Sequence, residues 1–125
     1  MSLLEAARKA APALALSTDS SLVTAAANDF GFEQIFARQV EAHGRAGDVL
    51  VLVSTSGKSP NLLAAARAAK AAGMSVVGLL GAGGGPLRAL CDVGIIVPSH
   101  DTAHIQEIQL AIDHYVCCQV EPTLR

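Results

Sequence analysis

Two uninterrupted apolar runs, each about as long as a β-strand, constrain the fold of this chain more than any other feature. They occupy residues 48–53 (DVLVLV) and residues 75–80 (SVVGLL). Neither run alternates apolar with polar residues, and this is the pattern of strands that are covered on both faces. Helical segments separate the strands, and such alternation favours a parallel sheet with right-handed crossovers. We therefore expect an α/β fold.

The helix between these two runs has the clearest start and stop signals. Ser59 suits a helix N-cap, Pro60 suits the first helical position, and Gly73 suits the position after the last turn. The other predicted elements are helices at residues 2–10, 20–27, 32–43 and 103–120, a short helix at 86–90, and strands at 12–17 and 93–97. The pattern predicts four strands in all.

Composition limits the number of domains and the kinds of partner. The chain has 125 residues, of which 51% are hydrophobic and 3% aromatic, and its net charge is -2. This length fits one domain. Few aromatic residues and a slight negative charge argue against direct nucleic-acid binding, and the apolar runs are too short to cross a bilayer. Cys91, Cys117 and Cys118 form neither a disulfide framework nor a zinc motif, which favours a cytoplasmic protein.

The loop that follows the first apolar run has the composition of an anion-binding site. Residues 54–59 read STSGKS and lead into the helix that begins near Pro60. Its hydroxyl side chains belong to Ser54, Thr55, Ser56 and Ser59. Hydroxyls, a glycine and a helix amino terminus at the carboxyl end of a parallel strand suit a phosphate group. The alternative is an ordinary polar turn with a serine cap.

Two nucleotide-binding motifs are excluded. A Walker A loop needs a glycine five residues before Gly57, where this chain has Leu52 inside the strand. A dinucleotide fingerprint needs a glycine at the position of Pro86, which follows the glycine-rich residues 81–85. We interpret that glycine-rich segment as a flexible turn.

Several further segments carry a resemblance to a known family. They read ANDFGFE at residues 27–33, FARQVEA at 36–42, GDVL at 47–50, and IQEI at 105–108 with His114 eight residues after Gln106. With the loop STSGKSP, they resemble the phosphoheptose isomerases of the sugar isomerase (SIS) family over about residues 12–120. The resemblance implies a flavodoxin-like three-layer αβα SIS domain over residues 1–125, with four of the family's five parallel strands.

The same resemblance implies a function. Members of this family convert sedoheptulose 7-phosphate to D-glycero-D-manno-heptose 7-phosphate, at the start of heptose synthesis for lipopolysaccharide or surface polysaccharide. By resemblance, Gln106 and His114 bind a zinc ion, Gln106 also lies at the substrate, and His114 transfers a proton. The residues implied to bind substrate are Asn28 and Asp29 for the sugar and Ser54, Thr55, Ser56 and Ser59 for the phosphate.

The chain also departs from the family pattern. The family begins with a further strand, a glycine-rich loop, a zinc-binding histidine and a catalytic glutamate, and this sequence contains none of them, so the segment resembles an amino-terminally truncated member. His104 replaces the usual arginine and Lys58 the usual asparagine. We therefore expect neither isomerase activity nor tightly bound zinc from this chain alone.

The spacing of Gln106 and His114 gives a second reason for that expectation. Eight residues of a straight helix separate two side chains by about 12 Å and turn them about 80° apart. Either the helix begins irregularly near Gln106, or the zinc ligands come from neighbouring chains.

The sequence also leaves two alternative functions open and predicts a homo-oligomer. Two alternatives to the isomerase function remain. The chain is either a non-catalytic interaction protein, like the DnaA initiator-associating protein of the same family, or a phosphosugar-sensing module. A homo-oligomer is expected, because without the family's central strand the strand edges at 12–17 and 48–53 are unpaired. The two strand edges either pair directly with each other or are covered by a partner chain. The resemblance implies a tetramer, which is the assembly that the family forms.

Overall fold

Three parallel β-strands form the centre of the molecule. The computed structural model describes residues 9–124, with β1 at Val49–Ser54, β2 at Ser75–Leu80 and β3 at Val93–Ile96. The strand order is β1-β2-β3, and both pairings are parallel. Val49 lies opposite Ser75, and Val77 lies opposite Val93. Helices flank both sides of the sheet, which confirms the predicted three-layer α/β class.

The described part of the chain contains four α-helices. They are α1 at Ser20–Phe30, α2 at Ala37–His43, α3 at Pro60–Ala71 and α4 at Thr102–Val120, with short 3-10 turns at Phe32–Gln34, Ala82–Gly84, Pro86–Leu90 and Glu121–Leu124. The Asp19 carboxylate caps α1 by accepting from Leu22 N at 3.0 Å, and Asp101 caps α4. Among the described helices, none combines the length and the apolar composition that a bilayer crossing requires.

The hydrophobic core lies between the sheet and the helix pair α2 and α3. Leu52 of β1 and Val76 of β2 are buried there against Ala65 of α3, which has no exposed surface. Alanine at this position lets the helix approach the strands closely. The buried core cluster comprises Val40, Leu50, Leu52, Ala65, Ala66, Ala69, Val76, Leu80 and Leu87.

The strand predicted at residues 12–17 is wrong. These residues follow an irregular path, and Leu14 is 64% exposed. A strand needs a neighbouring edge for its backbone hydrogen bonds, but here the carbonyl oxygen of Leu16 accepts from the Gln39 side chain of α2 at 2.9 Å. That contact holds the segment to a helix rather than to the edge of β1. The count among the described residues is therefore three strands, and the direct closure of the two edges does not occur.

The helix predicted at residues 32–43 is interrupted. A 3-10 turn covers Phe32–Gln34, and α2 begins only at Ala37. The Gln39 Nε2 atom donates to the carbonyl oxygen of Ile35 at 2.9 Å, so a side chain satisfies a carbonyl at the break. The remaining helix and strand predictions from residue 20 onward are confirmed to within a few residues, and the helix predicted at 2–10 falls largely outside the described residues.

Candidate functional site

A pocket of about 270 Å³ lies at the carboxyl end of β1. It is lined by Val53, Ser54, Thr55, Ser59, Gln106 and Gln109. The first three residues end β1 and begin the loop, Ser59 precedes α3, and the two glutamines come from α4. The structure therefore brings together four of the predicted site residues at the edge of a parallel sheet where ligands bind.

Two serine hydroxyls hold the loop 54–59 in its shape. The Ser54 Oγ atom accepts from Gly57 N at 2.9 Å, and the Ser56 Oγ atom accepts from Lys58 N at 3.3 Å. A hydroxyl that accepts one hydrogen bond keeps its own proton for a second partner. Ser54 lines the pocket and is buried, whereas Ser56 is half-buried and does not line it. Ser56 therefore shapes the loop from outside the pocket.

The amino terminus of α3 contributes positive potential to the same pocket. Ser59 occupies the N-cap position, but its hydroxyl makes no capping hydrogen bond. Pro60 follows at the first helical position, and the first turn contains no acidic residue. The partial positive charge of a helix amino terminus favours an anion. The Ser59 hydroxyl is thus available to a ligand at an electropositive helix end.

The glycine-rich segment 81–85 packs against the loop and is not a free turn. Gly57 has a φ of +63°, and a Cβ atom at this position would overlap the carbonyl group of Gly84. Leu87 N donates to the Gly57 carbonyl oxygen at 3.1 Å. Any side chain at residue 57 would therefore push the two loops apart. The interpretation of this segment as flexible is replaced by that of a wall behind the loop 54–59.

Gln109 is the pocket residue that sequence reasoning missed. Its side chain is buried, and its Nε2 atom donates to the carbonyl oxygens of Leu79 at 2.8 Å and Ser54 at 3.2 Å. A signal was present in the sequence, because Ile105, Gln109 and Ile112 recur at helical spacing on one face of α4. A glutamine on an apolar helix face requires buried hydrogen-bond partners.

The pocket supplies hydrogen bonds but no acid or base. None of its six lining side chains is Asp, Glu, His, Lys or Arg. The two described groups whose pKa is shifted, Cys91 and Asp92, do not line the pocket. Burial raises the pKa of the Cys91 thiol, and the hydrogen bond from Lys70 lowers the pKa of Asp92 near the amino end of the sheet. The geometry of these residues therefore suits binding, not proton transfer.

Asp29 lines a different cleft, and Asn28 is its neighbour in α1. They end α1, where Asn28 Nδ2 donates to Asp29 Oδ1 at 2.8 Å. Asp29 lines a cleft of about 260 Å³ between α1 and α2, together with Phe30, Arg38 and His43. The Arg38 guanidinium lies 4.5 Å from the centre of the Phe30 ring. The structure therefore does not place the two predicted sugar-binding residues among those that line the phosphate-loop pocket.

The described residues of one chain do not fit a zinc ion. Gln106 and His114 belong to one continuous helix that begins at Thr102, so the irregular start considered above does not occur. With about 12 Å of axial rise and about 80° of rotation between their positions, one metal ion cannot easily take both side chains from a straight helix. Within residues 9–124, no three His, Cys, Asp or Glu side chains are grouped to hold a metal. Exposed His114 does not line the pocket.

Comparison with known proteins places this geometry in a family. The SIS domain model matches residues 1–81. The chain belongs to the SIS-domain family. The matched residues include the loop 54–59, for which the sequence predicts an anion-binding site.

The similar proteins are phosphoheptose isomerases. That of Burkholderia pseudomallei strain K96243 is 55% identical over 117 residues, and that of Rhodospirillum rubrum is 53% identical over 113 residues. These matches cover 94% and 90% of this chain but 59% and 60% of the relatives. The solved structure of GmhA from Neisseria gonorrhoeae aligns with a TM-score of 0.85 and 45% identity, covering 87% of this chain and 61% of that one. The SIS-domain chain therefore spans about three fifths of its relatives' length.

Proposed function

We propose that this SIS-domain chain is the phosphosugar-binding portion of a phosphoheptose-type isomerase. Such an enzyme interconverts sedoheptulose 7-phosphate and D-glycero-D-manno-heptose 7-phosphate, a step toward lipopolysaccharide or surface polysaccharide. The observation that carries the proposal is the pocket where the hydroxyls of Thr55 and Ser59 meet the amino terminus of α3. The identity of 55% to a phosphoheptose isomerase supports the choice of sugar.

Phosphate binding is the part of this function that the pocket performs. The phosphoryl oxygens would accept hydrogen bonds from Thr55 and Ser59, and the helix amino terminus would stabilise their charge. Ser54 and Ser56 would hold the loop amides in position, because their oxygens already accept from Gly57 and Lys58. The ligand therefore meets donors that need little rearrangement.

Isomerisation needs groups that this pocket lacks. A base must remove the proton next to the carbonyl, and an acid must return one to the neighbouring carbon. The lining residues include no carboxylate and no histidine. We propose that His114, Asn28 and Asp29 meet the sugar only in an assembly of several chains, since none of them lines this pocket. A zinc ion belongs to the same proposal, with ligands from more than one chain.

The proposal extends to the setting of the protein. The partners are a small phosphosugar and further copies of the chain in a homo-oligomer, with no nucleic acid and no membrane. A cytoplasmic location is supported by the free cysteines, of which Cys117 and Cys118 are exposed, because such thiols persist in a reducing compartment.

Titration calorimetry tests the binding function. Sedoheptulose 7-phosphate is expected to bind, and sedoheptulose without its phosphate is expected to bind far more weakly. The double variant Thr55→Val, Ser59→Ala removes two hydroxyls, and each hydrogen bond to a charged group contributes about 1.5–3 kcal/mol. A loss of at least about 100-fold in affinity is therefore expected.

The control is Ser75→Ala, which removes an exposed hydroxyl at the amino end of β2, remote from the pocket. This variant is expected to bind as the unaltered chain does. Absence of binding by the unaltered chain, or equal affinity of the double variant and the control, would contradict the proposal.

A further inference from the structure

The side-chain amide of Gln109 joins α4 to the ends of two strands. Its Nε2 atom lies 2.8 Å from the carbonyl oxygen of Leu79 and 3.2 Å from that of Ser54. Only the NH₂ end of the amide donates, and it has two protons, so two carbonyl partners fix its orientation and use both protons. The side chain is 4% exposed, which removes water as a competitor for these bonds. Gln109 is therefore held in one position at the carboxyl edge of the sheet.

Ser54 connects Gln109 to the proposed phosphate-binding loop at residues 54–59, which we call the phosphate loop. Its carbonyl oxygen accepts from Gln109 and also from Gly81 N at 3.1 Å. The peptide bond between Ser54 and Thr55 is planar, so fixing its oxygen also fixes the direction of the Thr55 N–H. The hydroxyl of Ser54 in turn accepts from Gly57 N. One residue therefore transmits the position of α4 to both halves of the loop.

The far end of the loop is fixed by packing against backbone. Gly57 lies directly on Gly84, and its carbonyl oxygen accepts from Leu87 N. A loop restrained at both ends presents its donors to an anion with little loss of entropy on binding. Gln109 is the side-chain restraint at the near end.

We propose that Gln109 is a positioning residue that sets the orientation of the phosphate-loop amides through the carbonyl group of Ser54. The proposal deepens the proposed function, because the ligand held by the loop is the phosphate of the sugar. It also explains why a buried glutamine lies on the helix that carries Gln106 into the same pocket.

The structure offers a matched control in Gln39. That glutamine is 5% exposed, and its Nε2 atom also donates to two carbonyl oxygens, those of Leu16 and Ile35, both at 2.9 Å. Gln39 lies on α2, in the cleft between α1 and α2 that Asp29 also lines, and it does not line the pocket at the carboxyl end of β1. Because Asp29 is proposed to meet the sugar in an assembly, the two variants are compared with inorganic phosphate as well as with the sugar phosphate. Gln109→Met and Gln39→Met therefore remove the same chemical groups from equally buried sites and differ in what those groups hold.

The test measures sedoheptulose 7-phosphate affinity by calorimetry and backbone amide resonances by NMR. Both variants are expected to unfold at similarly lower urea concentrations than the unaltered chain. Gln109→Met alone is expected to weaken sugar phosphate binding at least about tenfold, since lost restraint moves the donors, and to shift the resonances of Thr55 and Gly57. Equal affinities of the two variants for the sugar phosphate, whether unchanged or equally weakened, would overturn the positioning role.

Two measurements separate this proposal from the proposed function. If the unaltered chain does not bind the sugar phosphate, the proposed function fails, and the Thr55 and Gly57 resonances without ligand still decide the role of Gln109. If Gln109→Met does not fold, hydrogen exchange in the unaltered chain tests the positioning role of Gln109. The Gln109 NH₂ protons are expected to exchange slowly, as are those of Gln39, and fast exchange at Gln109 alone would overturn the proposal.

Discussion

The two faces of the sheet differ in what covers them, although the same strands build both. On the face toward α3, Leu50 and Leu52 of β1 are 8% and 4% exposed. On the opposite face, Val49, Val51 and Val53 of the same strand are 54–58% exposed. Helix α4 covers that second face only near the carboxyl end of β2, where Leu79 is buried. One face is thus the core of the chain, and the other is an open apolar surface over β1.

This difference shows what an apolar run encodes. The run at residues 48–53 indicates that both faces are suited to burial, but it does not specify what buries them. Helices α2 and α3 supply one cover from within the chain. The open face, together with exposed Ile108, Leu110 and Val116 of α4, has the character of a surface that meets another polypeptide.

The largest expected effect comes from comparing neighbours on β1. Leu52→Ala removes buried methyl groups from the core and is expected to lower the free energy of unfolding by about 2–5 kcal/mol. Val51→Ala, one residue away on the open face, is expected to lower it by less than about 1 kcal/mol in the monomer. Urea unfolding at low protein concentration measures both. Similar losses would mean that the open face is covered in the isolated chain.

Assembly of the chain is the next expected effect. Light scattering over a hundredfold dilution is expected to show an oligomer, and Val51→Lys is expected to shift it toward the monomer, because burying an unpaired ammonium group is costly. Ala71→Lys adds the same charge to the exposed end of α3 and serves as the control. A folded species near 12.8 kDa at every concentration would contradict the predicted assembly.

Zinc content is the next expected difference, here between the monomer and the oligomer proposed to form through the open face of the sheet. The monomeric fraction is expected to contain far less than one zinc per chain, because one ion cannot easily take both Gln106 and His114 from a straight helix. It is also expected to show no turnover in a coupled isomerase assay, because the pocket lining includes no acid or base. Elemental analysis of the separated monomer and oligomer measures this. One zinc per monomeric chain would refute the expectation, whereas zinc confined to the oligomer would place the additional ligands on another chain.

The smallest expected effect concerns pH at the amino end of the sheet. Hydrogen bonds from Lys70 Nζ and Val76 N, both 2.8 Å long, lower the pKa of Asp92 below its usual 3.8. A lowered folded-state pKa gives stability that is present above pH 3.8 and is lost as the pH falls through the folded value. Asp92→Asn is expected to be slightly less stable at pH 7 and to lose less stability below pH 4. Identical acid unfolding curves for the two proteins would contradict the role of this pair.

The residues that sequence analysis identified correctly act locally. Ser59, Pro60 and Gly73 delimit α3 through contacts within a few residues, and the continuous apolar runs became β1 and β2 within one residue of the predicted bounds. The loop STSGKS is predicted to bind an anion because its hydroxyls, its glycine and the helix amino terminus are adjacent in the sequence. These features were therefore predictable from short stretches of the chain.

The remaining features depend on residues that are distant in the sequence. Residues 12–17 have the composition of a strand, yet strand formation requires an adjacent edge, and Gln39 instead holds their Leu16 carbonyl. Neither Asn28 nor Asp29 lines the pocket beside the loop, and Asp29 lines the cleft between α1 and α2 instead.

The sequence by itself determined the parallel α/β class, the bounds of α3 and the hydroxyl-rich composition of the loop 54–59, since each depends on neighbouring residues. Only the tertiary structure decided that Gln109 reaches the Ser54 carbonyl across 55 positions of sequence, and that one face of β1 is left open. The physical reason is that hydrogen bonds and burial between distant segments depend on how whole elements pack, which no local pattern specifies.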